Sequence, residues 1–255
     1  MIGMFDSGVG GFSVLREVRR LHPQLDVIYL ADSVHAPYGQ RSLKELSELS
    51  HRNVGWLLAQ GAEVIAIACN TASAAALTDL RQAHPGISFV GMEPAVKPAR
   101  AYTRNGVVGV LATEATFQGE LFASVVGRFG DGIEVVTRAC SGWADLVEQG
   151  RVAGAEAEAA IALHLDPVLA AGADTLVLGC THYPFLLPMI HERVGAQVVV
   201  VDPAPAVGRQ IGRLAGRRGS GRVRILTTGD PDAVRATMKR LTGWDDPVAA
   251  ITSYS

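Results

Sequence analysis

Two short triplets, Cys69-Asn70-Thr71 and Cys180-Thr181-His182, each follow an apolar run, residues 64–68 and 175–179, and each precede a stretch that reads as helix. The chain holds three cysteines, and two of them occupy these matched positions. A thiol between a strand and a helix faces the positive end of the helix dipole, which favours thiolate. Two such thiols, one in each half of a molecule, suit a reaction that needs one proton acid and one proton base on opposite faces of a small substrate. The third, Cys140, lacks this context and reads as a buried small hydrophobe.

Other polar groups gather around the same chemistry. Asp6-Ser7-Gly8-Val9-Gly10-Gly11 follows a short strand and precedes a helical pattern. It is a near miss to a dinucleotide fingerprint, because Ser13 stands at the third glycine and Asp6 would meet the pyrophosphate with a negative charge. A backbone nest for a substrate carboxylate, with Asp6 free to exchange protons, is the better reading. The loop from Ala31-Asp32 to Ser42 carries Pro37-Tyr38-Gly39, a turn that offers amides and a phenol to a polar ligand. Asn70, Thr71 and Thr181 are short polar groups suited to helix caps or to a ligand carboxylate. Glu148 reads on composition alone as a surface helix residue.

Rival chemistries fit less well. No cysteine is followed by Cys-x5-Arg spacing, since Ala75, Leu146 and Leu186 occupy those positions. Cys180 and His182 would make half of a metal site, with no matching half, so no metal is expected. The only lysines are Lys44, Lys97 and Lys239, and none sits at a strand end among phosphate-binding glycines, which argues against a pyridoxal phosphate enzyme.

Short β-rich runs at 2–5, 27–30, 64–68, 89–92, 107–111, 134–137, 175–178, 198–201 and 224–227 must hold these groups. Helical patterns alternate with them at 14–21, 43–60, 72–83, 117–129, 154–171 and 233–241. Such alternation with near-continuous apolar strands indicates an α/β fold with largely parallel sheets. A faint repeat runs through it. Strand 2–5, the Cys69 strand and Glu93-Pro94-Ala95 correspond to strand 107–111, the Cys180 strand and Asp202-Pro203-Ala204. Two similar α/β domains follow, the first from 1–94 plus 206–255 and the second from 95–205. Ligands of such sheets collect at the carboxyl ends of strands, which places the site in the cleft between the domains.

Over 255 residues, 48% hydrophobic and 19% charged composition fits a soluble globular enzyme and excludes extensive disorder. A net charge of -2 supplies no general attraction for nucleic acid or membrane. The basic cluster Arg213, Arg217, Arg218, Arg222 and Arg224 is broken by Gly and Ser and reads as a solvated loop. No run reaches membrane-span length, no charged-then-apolar leader opens the chain, and the odd cysteine count argues against a disulfide framework, so a cytoplasmic location is expected.

Six motifs in order resemble those of the glutamate racemases, in the aspartate/glutamate racemase superfamily. They are Phe5-Asp6-Ser7-Gly8-Val9-Gly10-Gly11, Ala31-Asp32 with Pro37-Tyr38-Gly39, Ala68-Cys69-Asn70-Thr71-Ala72, Gly91-Met92-Glu93-Pro94-Ala95, Leu111-Ala112-Thr113-Glu114-Ala115-Thr116 and Gly179-Cys180-Thr181-His182-Tyr183-Pro184. Departures are small: Ala112 stands where the family often has Gly, and 34–36 is a variable stretch.

The resemblance implies cofactor-independent interconversion of L- and D-glutamate, supplying D-glutamate for peptidoglycan, cell-wall biogenesis and cell shape, by a homodimer. It implies that Cys69 and Cys180 transfer the protons, with Cys69 facing the D enantiomer and Cys180 the L enantiomer. Asp6 would assist Cys69, and His182 would assist Cys180. Glu148 matches a family acid through the ends of Cys140-Ser141-Gly142-Trp143-Ala144-Asp145-Leu146-Val147-Glu148. Ser7, Pro37, Tyr38, Gly39, Asn70, Thr71, Thr113, Thr116 and Thr181 match substrate contacts. Two alternatives keep the cleft: a sibling racemase acting on aspartate or another amino acid, and a non-catalytic two-lobed amino-acid-binding protein, which would leave the paired cysteines unexplained.

Overall fold

The computed structural model describes residues 1–216 and 219–251. Ten strands and eleven α-helices alternate through them. The strands are β1 (Ile2–Asp6), β2 (Val27–Ala31), β3 (Val64–Ile67), β4 (Ser88–Val90), β5 (Val107–Ala112), β6 (Glu134–Ala139), β7 (Thr175–Gly179), β8 (Val199–Val201), β9 (Val223–Thr227) and β10 (Val248–Ala250). The helices are α1 (Phe12–Leu21), α2 (Leu43–Ala59), α3 (Asn70–Ala83), α4 (Val96–Tyr102), α5 (Glu114–Gln118), α6 (Glu120–Phe129), α7 (Trp143–Glu148), α8 (Ala155–Ala170), α9 (Leu187–Val194), α10 (Ala204–Ala215) and α11 (Pro231–Thr242). None of them is long and apolar enough to cross a membrane.

The strands form two wholly parallel sheets, ordered β10-β9-β2-β1-β3-β4 and β6-β5-β7-β8. The run β2-β1-β3-β4 of the first has the same order as the whole second sheet, so β3 and β7 are equivalent strands beside equivalent switch points. This is the repeat expected from the sequence. Ligand sites in open parallel sheets form at such switch points, beyond the carboxyl ends of the strands.

Register fixes what meets there. Asp6 pairs with Ala31, and Phe5 with Ile67, so Asp6, Asp32 and Cys69 emerge together at one edge. Ala112 pairs with both Ala139 and Gly179, so Thr113, Cys140 and Cys180 emerge together at the facing edge. A continuous apolar cluster crosses between the lobes, from Phe12 and Tyr29 to Trp143 and Tyr183. It buries apolar surface of the two lobes against each other.

Two expected elements differ, and one strand, β10, lies where the sequence pattern predicts none. The pattern over 117–129 predicts one helix, but α5 and α6 break at Gly119, which is extended. A Cβ there would lie 2.7 Å from that of Ala74 on α3, so close packing between the lobes displaces the chain. The stretch after Cys180 is a 3-10 turn, Tyr183–Leu186, before α9 begins. Strand β10 is only three residues long and carries no alternating pattern. Arg213, Arg222 and Arg224 are exposed, but Arg213 lies on α10 and Arg224 on β9, so the cluster is not the loop expected, while Arg217 and Arg218 lie outside the described residues.

Candidate active site

Cys69 is the N-cap of α3, and its Sγ accepts the Ala72 N–H at 3.5 Å. The sequence expectation of a thiolate-favouring dipole is reversed here. Burial, followed by the neighbouring Asp6 charge, pushes the thiol well above its ordinary pKa, and the donors from Ala72 and Ser7 do not compensate. Cys69 is therefore held as a neutral thiol.

Cys180 has no α-helix immediately behind it and uses a side chain instead. His182 Nδ1 lies 3.5 Å from Cys180 Sγ, and His182 Nε2 lies 2.7 Å from Glu148 Oε1. The same Glu148 oxygen accepts the Val9 N–H at 2.9 Å from the other lobe. A carboxylate only accepts, so Nε2 carries the ring proton and Nδ1 faces the thiol. Burial opposes charge on His182, but Cys180 and Glu148 together outweigh it and raise its pKa well above the ordinary value.

Asp6 is completely buried. Its Oδ1 accepts the Gly8 N–H at 2.9 Å, and its Oδ2 accepts the Thr181 hydroxyl at 3.1 Å. Burial raises its pKa, opposed mainly by the positive field of His182. Asp6, Glu148 and His182 each place a donor atom within 4.8 Å of the others. Their hydrogen bonds run to Gly8, Thr181, Val9 and the Cys180 sulfur and, between Glu148 and His182, to each other.

The glycine loop is built differently from the expected nest. Its Gly8 and Val9 amides serve protein carboxylates, Asp6 and Glu148, in place of a substrate carboxylate. Gly8 and Gly10 do not need a left-handed backbone. They need the absence of a Cβ, because one at Gly8 would collide with the Glu148 carboxylate and one at Gly10 with His182 Nδ1 and, at 2.7 Å, with Thr181 Oγ1. Ser13 adds a further tie, its hydroxyl lying 2.9 Å from the carbonyls of both Gly10 and Thr181.

Around these groups lie the residues expected to contact substrate. Thr71, Thr113 and Thr116 join hydroxyls across the cleft, with 2.9 Å from Thr71 to Thr113 and from Thr113 to Thr116. Ser7 and Thr181 are buried at the same edge. Asn70 is 2% exposed, and both polar atoms of its carboxamide are buried without a protein partner. An amide so placed carries a cost of about 1–3 kcal/mol unless a ligand relieves it.

Gly39 abuts Thr113, and Pro37 and Gly39 line a narrow cleft of about 60 Å³ with Thr113, Cys140, Ser141 and Gly142. Tyr38 is turned away from this mouth. Its hydroxyl donates to Asp32 Oδ2 at 2.5 Å and accepts from Asn53 Nδ2 at 3.1 Å. Asp32 also accepts from Thr228 at 2.9 Å and sits 2.8 Å from His35 Nδ1. Asp32, Asn53 and Thr228 thus anchor the 37–39 loop from behind. A polar Asn53 among the buried positions of α2 was the available signal.

Glu148, which composition placed on a surface, ends α7 with its carboxylate on His182 Nε2 and on the Val9 N–H. Cys140 is buried beside Cys180 and its pKa is driven up, chiefly by burial, which leaves it an inert thiol. A larger cavity of about 540 Å³ lies at the crossings between lobes, against Glu93, Lys97, Asp202 and Arg209, and includes none of these groups.

Comparison with known proteins gives consistent relatives. The family model for Asp/Glu/hydantoin racemase matches residues 13–211. A glutamate racemase of Roseiflexus sp. (strain RS-1) is 47% identical over 248 residues, covering 94% of this chain and 91% of that protein. The crystal structure of glutamate racemase from Francisella tularensis in complex with D-glutamate superposes with a TM-score of 0.86 at 26% identity, covering 100% of this chain and 97% of that one. That of Escherichia coli glutamate racemase, in a complex that includes L-glutamate, gives 0.85 at 29% identity and covers 98% and 97%.

Proposed function

The chain belongs to the Asp/Glu/hydantoin racemase family, among its glutamate racemases, and from that premise we propose that it interconverts L- and D-glutamate by a two-thiol, two-base transfer of the α-proton without a cofactor. The observation that carries this reading is the facing of two buried thiols at equivalent strand ends, with the Cys180–His182–Glu148 chain beside one and Asp6 on the side of the other. Both glutamate enantiomers occur in complexes of relatives with the same fold.

In the L-to-D direction, His182 Nδ1 takes the Cys180 proton, and Glu148 stabilises the resulting imidazolium at Nε2. The Cys180 thiolate removes the α-proton of L-glutamate. Cys69, held as a thiol by burial and by Asp6, delivers its proton to the opposite face, leaving Cys180 protonated and Cys69 as thiolate. After D-glutamate leaves, the proton held on His182 passes back to the Cys69 thiolate, with the Asp6 carboxylate as carrier, and the starting state is restored. The D-to-L direction reverses these steps. Asn70, Thr71, Thr181 and Ser7 would bind the carboxylates, and Thr113, Thr116 and the Pro37-Tyr38-Gly39 turn would complete the pocket.

The carbanionic state is stabilised by positioned donors in a site from which water is excluded. Both thiols are buried, and the cleft beside Pro37 and Gly39 that neither of them lines holds only about 60 Å³, so substrate entry requires the lobes to part and close again. We assign the lobes as 1–94 with 206–255, and 95–205. The product supplies D-glutamate to peptidoglycan synthesis, and hence cell-wall biogenesis and shape, in the cytoplasm, and the enzyme works as a homodimer.

The test is α-carbon exchange. Reduced protein without pyridoxal phosphate or metal is given L- and then D-glutamate in D2O, and formation of the opposite enantiomer carrying deuterium is expected. Cys180→Ala should abolish turnover yet still wash deuterium into D-glutamate, and Cys69→Ala should do the same for L-glutamate. Turnover surviving in either variant refutes the two-thiol mechanism. Racemisation of aspartate with glutamate untouched overturns the substrate assignment alone.

A further inference from the structure

The glycine loop that feeds amides to both carboxylates has a support beneath it. Tyr29, in the middle of β2, is completely buried, and its hydroxyl donates to the Gly8 carbonyl at 2.7 Å. The Gly11 N–H points at the same phenol oxygen and at Asp6, and a Cβ on Gly11 would lie 2.6 Å from Tyr29 Oη and 2.7 Å from Asp6 Cβ. Phe12, the first residue of α1, stacks on the Tyr29 ring at 4.7 Å between centroids. The phenol therefore bridges the two ends of the loop, and the N–H groups of Gly8 and Val9 leave the bridged segment toward Asp6 and Glu148.

A buried tyrosine usually finds some partner for its hydroxyl. What distinguishes Tyr29 is the identity of that partner. The carbonyl it holds belongs to the residue whose own N–H binds Asp6, and the peptide it joins supplies the Val9 N–H that binds Glu148. Rotation of that peptide would misaim the Val9 N–H directly and strain the adjoining peptide that carries the Gly8 N–H.

We propose that Tyr29 is a positioning residue of this site: its hydroxyl grips the glycine loop from below and aims two amides, one at Asp6 on the Cys69 side and one at Glu148 on the Cys180 side. It lies buried beneath the loop and ties the two half-sites through a single loop segment. The kinetic consequence rests on the two-thiol reading above, whereas the consequence for Asp6 does not. The titratable groups facing Asp6 are His182 and Glu148 from the second lobe, with Tyr29 and Cys69 from the first. The Gly8 and Gly11 amides favour its ionised form, so a loosened loop raises its titration midpoint further.

The experiment compares Tyr29→Phe with Phe12→Leu, which loses packing on the same ring but leaves the hydroxyl. The Asp6 carboxyl is followed by 13C NMR in protein labelled at aspartate and assigned with Asp6→Asn. Tyr29→Phe is expected to move the Asp6 midpoint upward and to lower kcat/KM by roughly ten- to a hundredfold. Phe12→Leu should reduce thermal stability with the Asp6 midpoint in place. Replacing Tyr29 by p-aminophenylalanine, which keeps a donor toward the Gly8 carbonyl, should restore the wild-type midpoint, and it serves as the readout if Tyr29→Phe does not fold. An unchanged Asp6 midpoint in Tyr29→Phe, or an equal shift in Phe12→Leu, overturns the proposal. If the midpoint moves in protein that racemises no glutamate, the positioning role stands and the two-thiol reading falls.

Discussion

His182 Nε2 sits 2.7 Å from Glu148 Oε1, while the other ring nitrogen of His182 faces the Cys180 sulfur at 3.5 Å. Glu148 thus decides which nitrogen is available to the thiol. In Glu148→Gln, the amide can turn its NH2 group toward Nε2 and favour the wrong tautomer, as well as removing the charge that stabilises imidazolium. Loss of general acid–base assistance should lower kcat/KM by about a hundredfold or more. Enantiomers have equal free energy in water, so kcat/KM must fall by the same factor in both directions. Polarimetric or coupled assays from each enantiomer check this, and retained wild-type turnover would remove Glu148 from the relay.

Much of this was legible in the chain. Cys69 and Cys180 announce themselves because strand ends and switch points are local features, written as an apolar run followed by polar residues. Ionisation at Cys69 was not legible, since the helix dipole is local but the burial and the Asp6 charge that defeat it come from the assembled site. Glu148 looked like a solvated helix residue because its partners, Val9 and His182, are distant in sequence. Tyr29 was hidden for the opposite reason: an aromatic in an apolar strand is so ordinary that its hydroxyl drew no attention.

Gly10 tests the close packing of the loop. Its backbone is conformationally ordinary, so alanine imposes no dihedral strain, only a methyl group against His182 and Thr181. Gly10→Ala should leave the circular dichroism spectrum native while pushing His182 from Cys180, with a loss of activity of about a hundredfold for a displacement near 1 Å. A fully active variant would mean that the His182 ring is not held against the loop in solution.

Asn70 should show opposing effects on stability and binding. Its carboxamide is buried with neither polar atom partnered. Asn70→Leu replaces it with an apolar group of similar shape and should stabilise the free protein by about 1 kcal/mol. The same change removes a ligand donor, so KM for both enantiomers should rise. Thermal denaturation with and without glutamate separates the two: the variant should melt higher alone and gain less from substrate than the wild type. A lower melting temperature for the free variant would show that the amide is satisfied in solution.

Asp6 carries the same opposition with a pH signature. Burial raises its folded-state pKa above the unfolded value, so the folded protein binds the proton more tightly. The associated stability is fully present below the unfolded value of about 3.9 and is lost as pH rises through the folded value. At neutral pH the wild type therefore bears the cost of a buried carboxylate, partly offset by His182 and by the Gly8 amide. Asp6→Asn escapes that cost, so the difference in melting temperature, variant minus wild type, should be more positive at pH 7 than at pH 4. Racemisation should fall at the same time, because the amide cannot exchange a proton on the Cys69 side. A difference that grows toward acid pH would mean that the pairing with His182 dominates and that Asp6 is a stabilising anion.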